Sequence, residues 1–454
     1  MPPINYGDTA WVLASSALVL LMTPGLALFY GGMTRSKSVL NMLMMNFATI
    51  AVVSVIWVIY GFSVAFTTDR GAGLIGGSEN WFLRGSFDAL TGPDTDKIPL
   101  LAFAAFQLMF AIITPALISG AIADRAKFGA WILFVALWTT LVYLPVAHWV
   151  FFFDAGKGGW IAERLKAFDF AGGTAVHVNA GAAALALALV LGKRVGWPRD
   201  KFKPHNLPMV LLGAALLWFG WFGFNAGSAL AANSLSAIAF VNTQVATAAA
   251  LLGWIIVEKL RDGKPTTLGA ASGAVAGLVA ITPACATIEP IGAIGLGLVA
   301  GALCALAVGL KYRFGYDDSL DVVGVHLVGG ATGALLIGLL AAPFIPGTGG
   351  VAGTFYGGGF DQLWRQAVAV VAVGLYSFVL AWIIGFAIQK TIGFRITSEA
   401  EVDGIDNAEH AESAYDFAPT TGTGGAFALA GVGATKPGST DGADNVPVTE
   451  KVTG

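Results

Sequence analysis

Two histidines stand inside long apolar stretches of the chain, where a titratable ring is least expected. His177 lies in the 26-residue run DFAGGTAVHVNAGAAALALALVLGKR, which begins at Asp169 and ends at Arg194. His326 ends the run DVVGVH, five residues after Asp321. A neutral imidazole can donate, accept and relay a proton. Because a polar ring inside a membrane segment usually marks a pathway or a site, these two residues are the first candidates for chemistry.

A structural role is the simpler interpretation of His177. A neighbouring helix could satisfy a neutral imidazole, and Asp169 could merely cap the start of its own helix. A helical rise of about 1.5 Å per residue places His177 roughly 12 Å from Asp169, well inside a hydrocarbon layer about 30 Å thick. At that depth the ring needs partners, and other segments must supply them.

The composition indicates a polytopic membrane protein. Of the 454 residues, 56% are hydrophobic and 12% are charged, and the mean hydropathy is +0.73. The 60 glycines suit helices that pack closely in lipid, and the sequence lacks the short alternating segments of a membrane barrel. The net charge of -3 gives no sign of nucleic-acid binding. Cys285 and Cys304 fall in apolar runs, so we predict neither a disulfide framework nor a thiolate metal site.

Eleven apolar segments are long enough to span a membrane. They cover residues 9–32, 40–66, 98–122, 129–150, 169–192, 208–231, 236–257, 267–286, 289–310, 322–343 and 363–390. The N-terminus lacks the basic region of a secretory signal, so the first run is kept as a span. With the N-terminus outside, sixteen lysines and arginines fall on the inner side and seven on the outer side. We therefore predict an all-α protein of the cytoplasmic membrane with its C-terminus inside.

The segments divide into two sets of five and a final one. The first and sixth segments each begin a set, and the fifth and tenth each carry one histidine. Since five is odd, the two sets run in opposite directions, which is the pattern of an inverted repeat with a site at its interface. The rise per residue leaves His177 and His326 within about 10 Å in depth, without showing contact. Two unrelated structural histidines are the alternative.

The chain after the last segment changes in composition. We predict a transmembrane domain over residues 1–392 and an ordered cytoplasmic segment over 393–417, which mixes charges with Ile405, Tyr415 and Phe417. Residues 418–454 are rich in Gly, Thr, Ala and Asp and are predicted to be disordered.

Aromatic residues recur on one face of two segments. They are Phe103, Phe106 and Phe110 in the third segment, with Trp221, Phe224 and the hydroxyl residue Ser228 in the sixth. Phenyl faces and a hydroxyl can hold a small cation, at roughly 0.5–2 kcal/mol per ring. Two deeper phenyl rings would block bulk water. Packing between helices is the alternative interpretation of such stripes.

Several stretches together closely resemble the ammonium transporter (Amt/Mep/Rh) family, of the bacterial Amt type. They are ALFYGG near Tyr30, FQLMFAIITPALISGAIADR from Phe106, YLPVAHW from Tyr143, the run from Asp169 to Arg194, GWFGFNAGS from Gly220, FVNTQVATAAALLGW from Phe240, DVVGVH from Asp321, and a tail with GID and HAESAY. The resemblance extends from about residue 10 to residue 415.

The resemblance implies a homotrimer with one pore in each subunit and ammonium or ammonia as the substrate. It implies that His177 and His326 are the paired pore histidines, Phe106 and Ser228 the outer recruitment site, and Phe110 and Phe224 a stacked phenyl gate. The resemblance also implies that Trp221 belongs to the pore wall and that Asp169 supports the outer site without lining the pore. We place Asp321 and Tyr143 in the pore wall or its support.

The sequence departs from the family at the outer aromatic position. Phe151 stands where many members have a tryptophan, and the insertion FFDAGKGG then precedes Trp160. Either Phe151 or Trp160 is expected to supply the outer ring. A phenyl ring is the weaker partner for a cation.

The expected mechanism is recruitment of the cation, deprotonation near the gate, and passage of ammonia past the histidines. Electrogenic transport and a gas channel both stay open. An ammonium sensor that signals through the tail is the alternative function, and a trimeric P-II signalling protein on the cytoplasmic face is the implied partner. A carrier of a larger solute is disfavoured by the phenyl-lined face. The sequence holds no nucleophile–base pair, metal cluster or cofactor motif, so we expect no enzyme and no cofactor.

Overall fold

The structure, a computed structural model, describes residues 4–92, 96–200 and 202–415. Within these ranges the chain forms eleven apolar helices and two short helices after them. The eleven are α1 (Tyr6–Met33), α2 (Val39–Phe66), α3 (Leu100–Ile122), α4 (Phe128–Phe151), α5 (Gly173–Leu191), α6 (Leu207–Gly227), α7 (Ser234–Asp262), α8 (Thr267–Ile281), α9 (Pro290–Phe314), α10 (Val323–Leu340) and α11 (Asp361–Thr391). Ten of them are long and apolar enough to cross a membrane, and α8 is a shorter apolar helix. The predicted all-α polytopic fold is confirmed.

Helix ends follow local chemistry and differ from the predicted ends by five residues or fewer. Asn5, Asn206 and Asn233 accept backbone N–H groups in the first turns of α1, α6 and α7, as N-caps do. The eighth segment was predicted to run to residue 286, but α8 ends at Ile281. Pro283 comes two residues after Ile281, and its ring nitrogen cannot donate a helical hydrogen bond.

The helices form two five-helix repeats of opposite direction, α1–α5 and α6–α10, with α11 outside them. Helix α1 packs along α6, and α5 crosses α10. Small residues allow these close approaches: a β-carbon on Gly213 of α6 would lie 2.3 Å from the backbone nitrogen of Phe29 in α1. A two-stranded antiparallel ribbon, β1 (Leu90–Thr91) and β2 (Ile98–Pro99), precedes α3.

The segment after α11 caps two of the membrane helices. It contains α12 (Ser398–Asp403) and α13 (Ile405–His410). The Asp406 carboxylate accepts backbone N–H groups from Leu40 (3.0 Å) and Asn41 (2.8 Å) at the start of α2, where Ser38 makes no side-chain cap. Glu409 accepts the backbone N–H of Phe128 at the start of α4. Phe417, named in the predicted ordered segment, and the predicted disordered tail, residues 418–454, lie outside the described residues.

A buried ion cluster joins the loops on the same side as this segment. Arg194 pairs with Asp124 at 3.0 Å and with Asp317 at 2.9 Å. Burial alone would raise the pKa of both carboxyl groups, but nearby guanidinium groups more than offset it. Arg194 acts on both acids, with Arg35 beside Asp124 and Arg125 beside Asp317, so both pKa values lie below the ordinary range. Both acids are therefore charged at neutral pH.

Candidate functional site

The two predicted histidines face each other in the interior of the protein. Nδ1 of His326 lies 3.3 Å from Nδ1 of His177, and the ring centroids are 5.3 Å apart. The exposed fraction is 1% for His177 and 3% for His326, so solvent scarcely reaches either ring. The sequence placed them at similar depth, and the tertiary structure brings them into contact.

Their contact determines which nitrogens are left for a ligand. When both rings are neutral, one Nδ1 donates and the other accepts. The donating ring then presents a bare Nε2, and the accepting ring presents an Nε2–H. Nε2 of His177 is buried and has no hydrogen-bond partner within the part of the chain that the structure describes. The pair can therefore offer one acceptor and one donor to a small neutral molecule.

Asp169 shapes the start of α5, eight residues before His177. Its carboxylate accepts the backbone N–H groups of residues 172–175 at 2.6 to 3.1 Å, and the Thr174 hydroxyl donates to it as well. These contacts satisfy N–H groups that a helix start leaves free. The π-helical turn that follows, Gly173–Val178, carries His177. Asp169 thus positions the histidine through the helix start.

The start of α10 repeats this arrangement with a residue that the sequence analysis did not select. Asp318 lies eight residues before His326, the same separation as in α5. Its carboxylate accepts the backbone N–H groups of residues 322 and 323 at 3.1 and 2.7 Å. A π-helical turn, Val323–Leu327, again carries the histidine. An aspartate eight residues before each histidine is the signal that could have found it.

Two glycines allow α5 and α10 to cross beside the imidazoles. Gly181 follows His177 by four residues, and Gly330 follows His326 by four. A β-carbon on Gly181 would lie 2.4 Å from the backbone nitrogen of Leu327, and one on Gly330 would lie 2.9 Å from Cβ of His177. Larger residues would push the helices apart. These glycines, also missed from sequence, set the distance between the rings.

A series of aromatic rings continues from the histidines to α3. The Phe110 and Phe224 centroids are 4.2 Å apart, and those of Phe224 and His177 are 6.1 Å apart. Trp221 stacks on His177 at 5.4 Å, and its indole N–H donates to the Thr282 hydroxyl at 2.8 Å. The two phenyl rings named in the sequence analysis are thus in contact, next to the histidines.

Phe110 also lines a wide cavity of about 1270 Å³, called the wide cavity below. Its wall includes Phe103, Gln107 and Phe110 of α3, together with Phe151, Asp169 and Ser228. The Ser228 hydroxyl donates to the backbone carbonyl of Phe224 at 2.8 Å. Because its proton is used in that bond, the Ser228 oxygen keeps lone pairs for a donor in the cavity.

His326 lines a second, much smaller pocket of about 10 Å³. Tyr30 and Asp321 also lie in its wall. Asp321 pairs with Lys311 at 2.6 Å, and Lys311 donates to the backbone carbonyl of Asp318 at 3.0 Å. The histidine pair therefore lies between a wide cavity and a narrow pocket.

The two candidates for the outer aromatic ring take different positions. Phe151 lies in the wall of the wide cavity. Trp160 packs against Trp149, with ring centroids 5.8 Å apart, and is not among the described residues of that wall.

Phe106 and Tyr143 lie behind the surface of the site. Phe106 is fully buried and meets Phe110 edge to face, with centroids 4.9 Å apart. Its neighbour Gln107 lies in the cavity wall, together with Phe103 and Phe110 of the same helix, and Phe106 is not among the described lining residues. Tyr143 is 1% exposed and hydrogen-bonds with Thr114. Across the described ranges, no group of three or more His, Cys, Asp and Glu side chains could hold a metal ion.

Comparison with known proteins agrees with this architecture. The profile of the Ammonium Transporter Family matches residues 10–415. An ammonium transporter of Mycobacterium tuberculosis is 60% identical over 437 residues, which cover 92% of each chain.

Two solved structures extend the likeness to three dimensions. Mep2 of Candida albicans superposes with a TM-score of 0.80 at 35% identity, covering 87% of each chain. A protein described as a sensor Amt protein superposes with a TM-score of 0.81 at 28% identity, covering 89% of this chain and 98% of that one. With its profile match, its relatives and its helices in agreement, the chain belongs to the ammonium transporter family and is a multi-pass membrane protein of ammonium transport.

Proposed function

We propose that the protein recruits the ammonium ion in the wide cavity, removes a proton near Phe110 and Phe224, and passes ammonia beside His177 and His326. The contact between two buried imidazoles at the end of a series of aromatic rings is the observation that carries this proposal. Ammonia leaves through the narrow pocket below His326.

The surroundings of the histidines favour a neutral species. Phe224 and Trp221 border His177, and a bare cation among such rings would lose its hydration without full replacement. Ammonia carries no net charge and needs only a donor or an acceptor. The neutral imidazole pair supplies one of each, so it can guide ammonia without holding it tightly.

Recruitment relies on the wall of the wide cavity. The rings of Phe110 and Phe151 offer faces for a cation. Ser228 adds an oxygen whose own proton is already donated. Phe106 stands behind Phe110 and holds that ring in place. Potassium is close to ammonium in charge and size, so directional acceptors and deprotonation must separate the two ions.

The proposal includes assembly and orientation. The subunit forms a homotrimer with a pore in each copy, lies in the cytoplasmic membrane, and places its N-terminus and the wide cavity outside. The distribution of lysine and arginine supports this direction. The ion cluster of Arg194 and the segment at residues 393–415 then face the cytoplasm.

Purified protein in liposomes tests the mechanism. Ammonium supplied on one side should produce flux, and His177→Leu with His326→Leu should lower it about tenfold or more, since a missing polar partner in a buried path costs about 1–3 kcal/mol. A current that accompanies the flux would indicate electrogenic transport, and its absence a gas channel. His205→Gln, outside the membrane helices, is the matched control. Undiminished flux in the double variant would remove the histidines from the path.

An ammonium sensor is the second proposed function. The contacts of Asp406 and Glu409 with the starts of α2 and α4 support it, because they link the C-terminal segment to two helices of the membrane domain. We propose a trimeric P-II signalling protein as the partner that reads this face. A pull-down under nitrogen-replete conditions should recover it from wild type and not from a chain ending at residue 392. Equal recovery from both would exclude this segment as the binding surface.

A further inference from the structure

We infer that Gln107 is a specificity-determining residue of the wide cavity, whose side-chain oxygen accepts an N–H of the ammonium ion. This inference rests on the proposed function and deepens it. Neither the aromatic stripe on the third segment nor the family resemblance selected this residue.

Gln107 occupies a polar position on an otherwise aromatic face. On α3 the cavity wall contains Phe103, Gln107 and Phe110, which follow one another at helical spacing. Gln107 lies one turn before Phe110, the first ring of the series that leads to the histidines. A ligand that rests on the Phe110 face therefore lies within reach of the amide.

The amide of Gln107 lacks a protein partner for its oxygen. The residue is 9% exposed, and Oε1 has no hydrogen-bond partner within the described residues. A buried acceptor without a donor costs free energy unless a ligand or water supplies one. Because Oε1 is itself buried, it reaches a ligand in the cavity after a half-turn of the terminal torsion, which exchanges the amide oxygen and nitrogen. The oxygen then needs a donor, which a ligand in the cavity can supply.

The ammonium ion can supply the donor that the Gln107 oxygen lacks. It carries four N–H donors and no lone pair, so it needs acceptors on several sides. Ser228 offers one oxygen, because its hydroxyl proton is donated to the Phe224 carbonyl. Gln107 offers the second, and Phe110 offers a ring face. Potassium gains less from two directional oxygens, since it has no N–H to align with them.

Steady-state transport by the full-length protein in liposomes tests this role, with ammonium chloride as the probe. Gln107→Leu keeps the size and removes the acceptor, and we expect KM for ammonium to rise about tenfold while the maximal rate stays within about twofold. Gln107→Glu keeps an oxygen and adds charge. We expect its KM to stay at or below the wild-type value and potassium chloride to become a competitor.

A control variant separates this effect from a general change in the membrane domain. Gln244→Leu makes the same substitution on the exposed face of α7, where Gln244 accepts the Trp218 indole N–H at 3.1 Å. Its KM should match wild type. If Gln107→Leu does not insert and fold, Gln107→Met, of similar length, gives the same readout.

The outcomes distinguish this inference from the proposed function. An unchanged KM in Gln107→Leu and Gln107→Met, with wild-type flux intact, would overturn the role of Gln107 and mean that its amide binds only water. A loss of maximal rate at constant KM would also overturn it. A wild-type protein that carries no ammonium-dependent flux would instead refute the proposed function.

Discussion

The starts of α5 and α10 solve the same problem with different chemistry. Asp169 receives four backbone N–H groups and a hydroxyl, whereas Asp318 receives two backbone N–H groups and lies beside Lys311. The first start borders the wide cavity, and the second lies next to the narrow pocket. The start of α5 thus lies at an open cavity and is stabilised by hydrogen bonds. The start of α10 lies at a narrow pocket and is stabilised by hydrogen bonds and by the charge of Lys311.

This difference shows how the two halves of an inverted repeat can diverge while the positions around the paired histidines stay equivalent. Each histidine lies eight residues after a capping aspartate and four before a glycine. Those three positions fix the helix start, the ring and the crossing point. The residues around them are free to make one side a place for recruitment and the other a narrow exit.

Removing the charge of each capping aspartate should distinguish the two helix starts most strongly. We expect Asp169→Asn to lower the free energy of unfolding by about 3 kcal/mol or more, because an amide has one acceptor oxygen for five donors. Asp318→Asn should cost about 1–2 kcal/mol, since only two backbone donors depend on it. Thermal unfolding in detergent measures both.

Ammonium flux should fall in the same order as these stabilities. Asp262→Asn, an exposed acid at the end of α7, is the control and should leave the free energy of unfolding unchanged. Equal losses in the free energy of unfolding at Asp169 and Asp318 would mean that both caps stabilise the protein equally, although their hydrogen bonds differ in number.

The glycines at the crossing give the second largest expected effect. Gly181→Ala should destabilise the protein by about 1–3 kcal/mol, because its β-carbon would meet the backbone of Leu327. Gly330→Ala meets a backbone carbonyl and a side chain at longer distances and should cost less.

Unfolding and flux measurements on Gly295→Ala provide the control. Gly295 lies on α9, and a β-carbon there meets nothing within 4 Å. Alanine should be neutral or slightly stabilising at this exposed helical position. If all three variants behave alike, the close approach of α5 and α10 does not set the spacing of the histidines.

Acid should destabilise the loops beside the start of α10 more than it destabilises the start of α5, and this is the smallest expected effect. The pKa values of Asp124 and Asp317 are lowered in the folded protein, chiefly by Arg194 acting against burial. Their contribution to stability is therefore present above the ordinary carboxyl pKa of about 4 and is lost as pH falls through the lower folded values.

Amide hydrogen exchange at pH 6 and pH 3 measures this difference, after correction for the intrinsic rate. The protection of the Arg194 amide, which donates to Asp317 at 2.8 Å, should fall by about 1 kcal/mol or more. Asp317→Asn should reduce that pH dependence, and the remainder belongs to Asp124. A fall at Arg194 that is unchanged in Asp317→Asn would assign the acid effect to other groups.

Prediction from the sequence was strongest where one-dimensional patterns suffice. Hydropathy located all eleven helices, and the cap at Asp169 followed from its place before an apolar run. Prediction is weaker where two distant parts of the chain must be compared. Asp321 is selected from the sequence and Asp318 is not, since only the eight-residue spacing between Asp169 and His177 in α5 distinguishes Asp318 as the cap.

In the candidate site, too, some residues could be predicted from the sequence and others only from the structure. Phe110, Phe224 and Ser228 followed from helical periodicity and the family resemblance. Gln107 did not, because a glutamine in an apolar helix has no period to mark it and its missing partner is visible only in three dimensions. Phe106 and Gln107 are adjacent, and rotation of α3 decides which of them faces the cavity.

The sequence alone determined that this protein crosses a membrane many times, carries one histidine in each of two related segments, and belongs among ammonium transporters. Apolar length and local spacing carry that information, since lipid permits few backbone structures. Only the tertiary structure decided that the imidazoles touch, that glycines set their separation, and that a wide cavity and a narrow pocket lie on either side. Those features depend on how helices far apart in the chain approach one another, which no local pattern specifies.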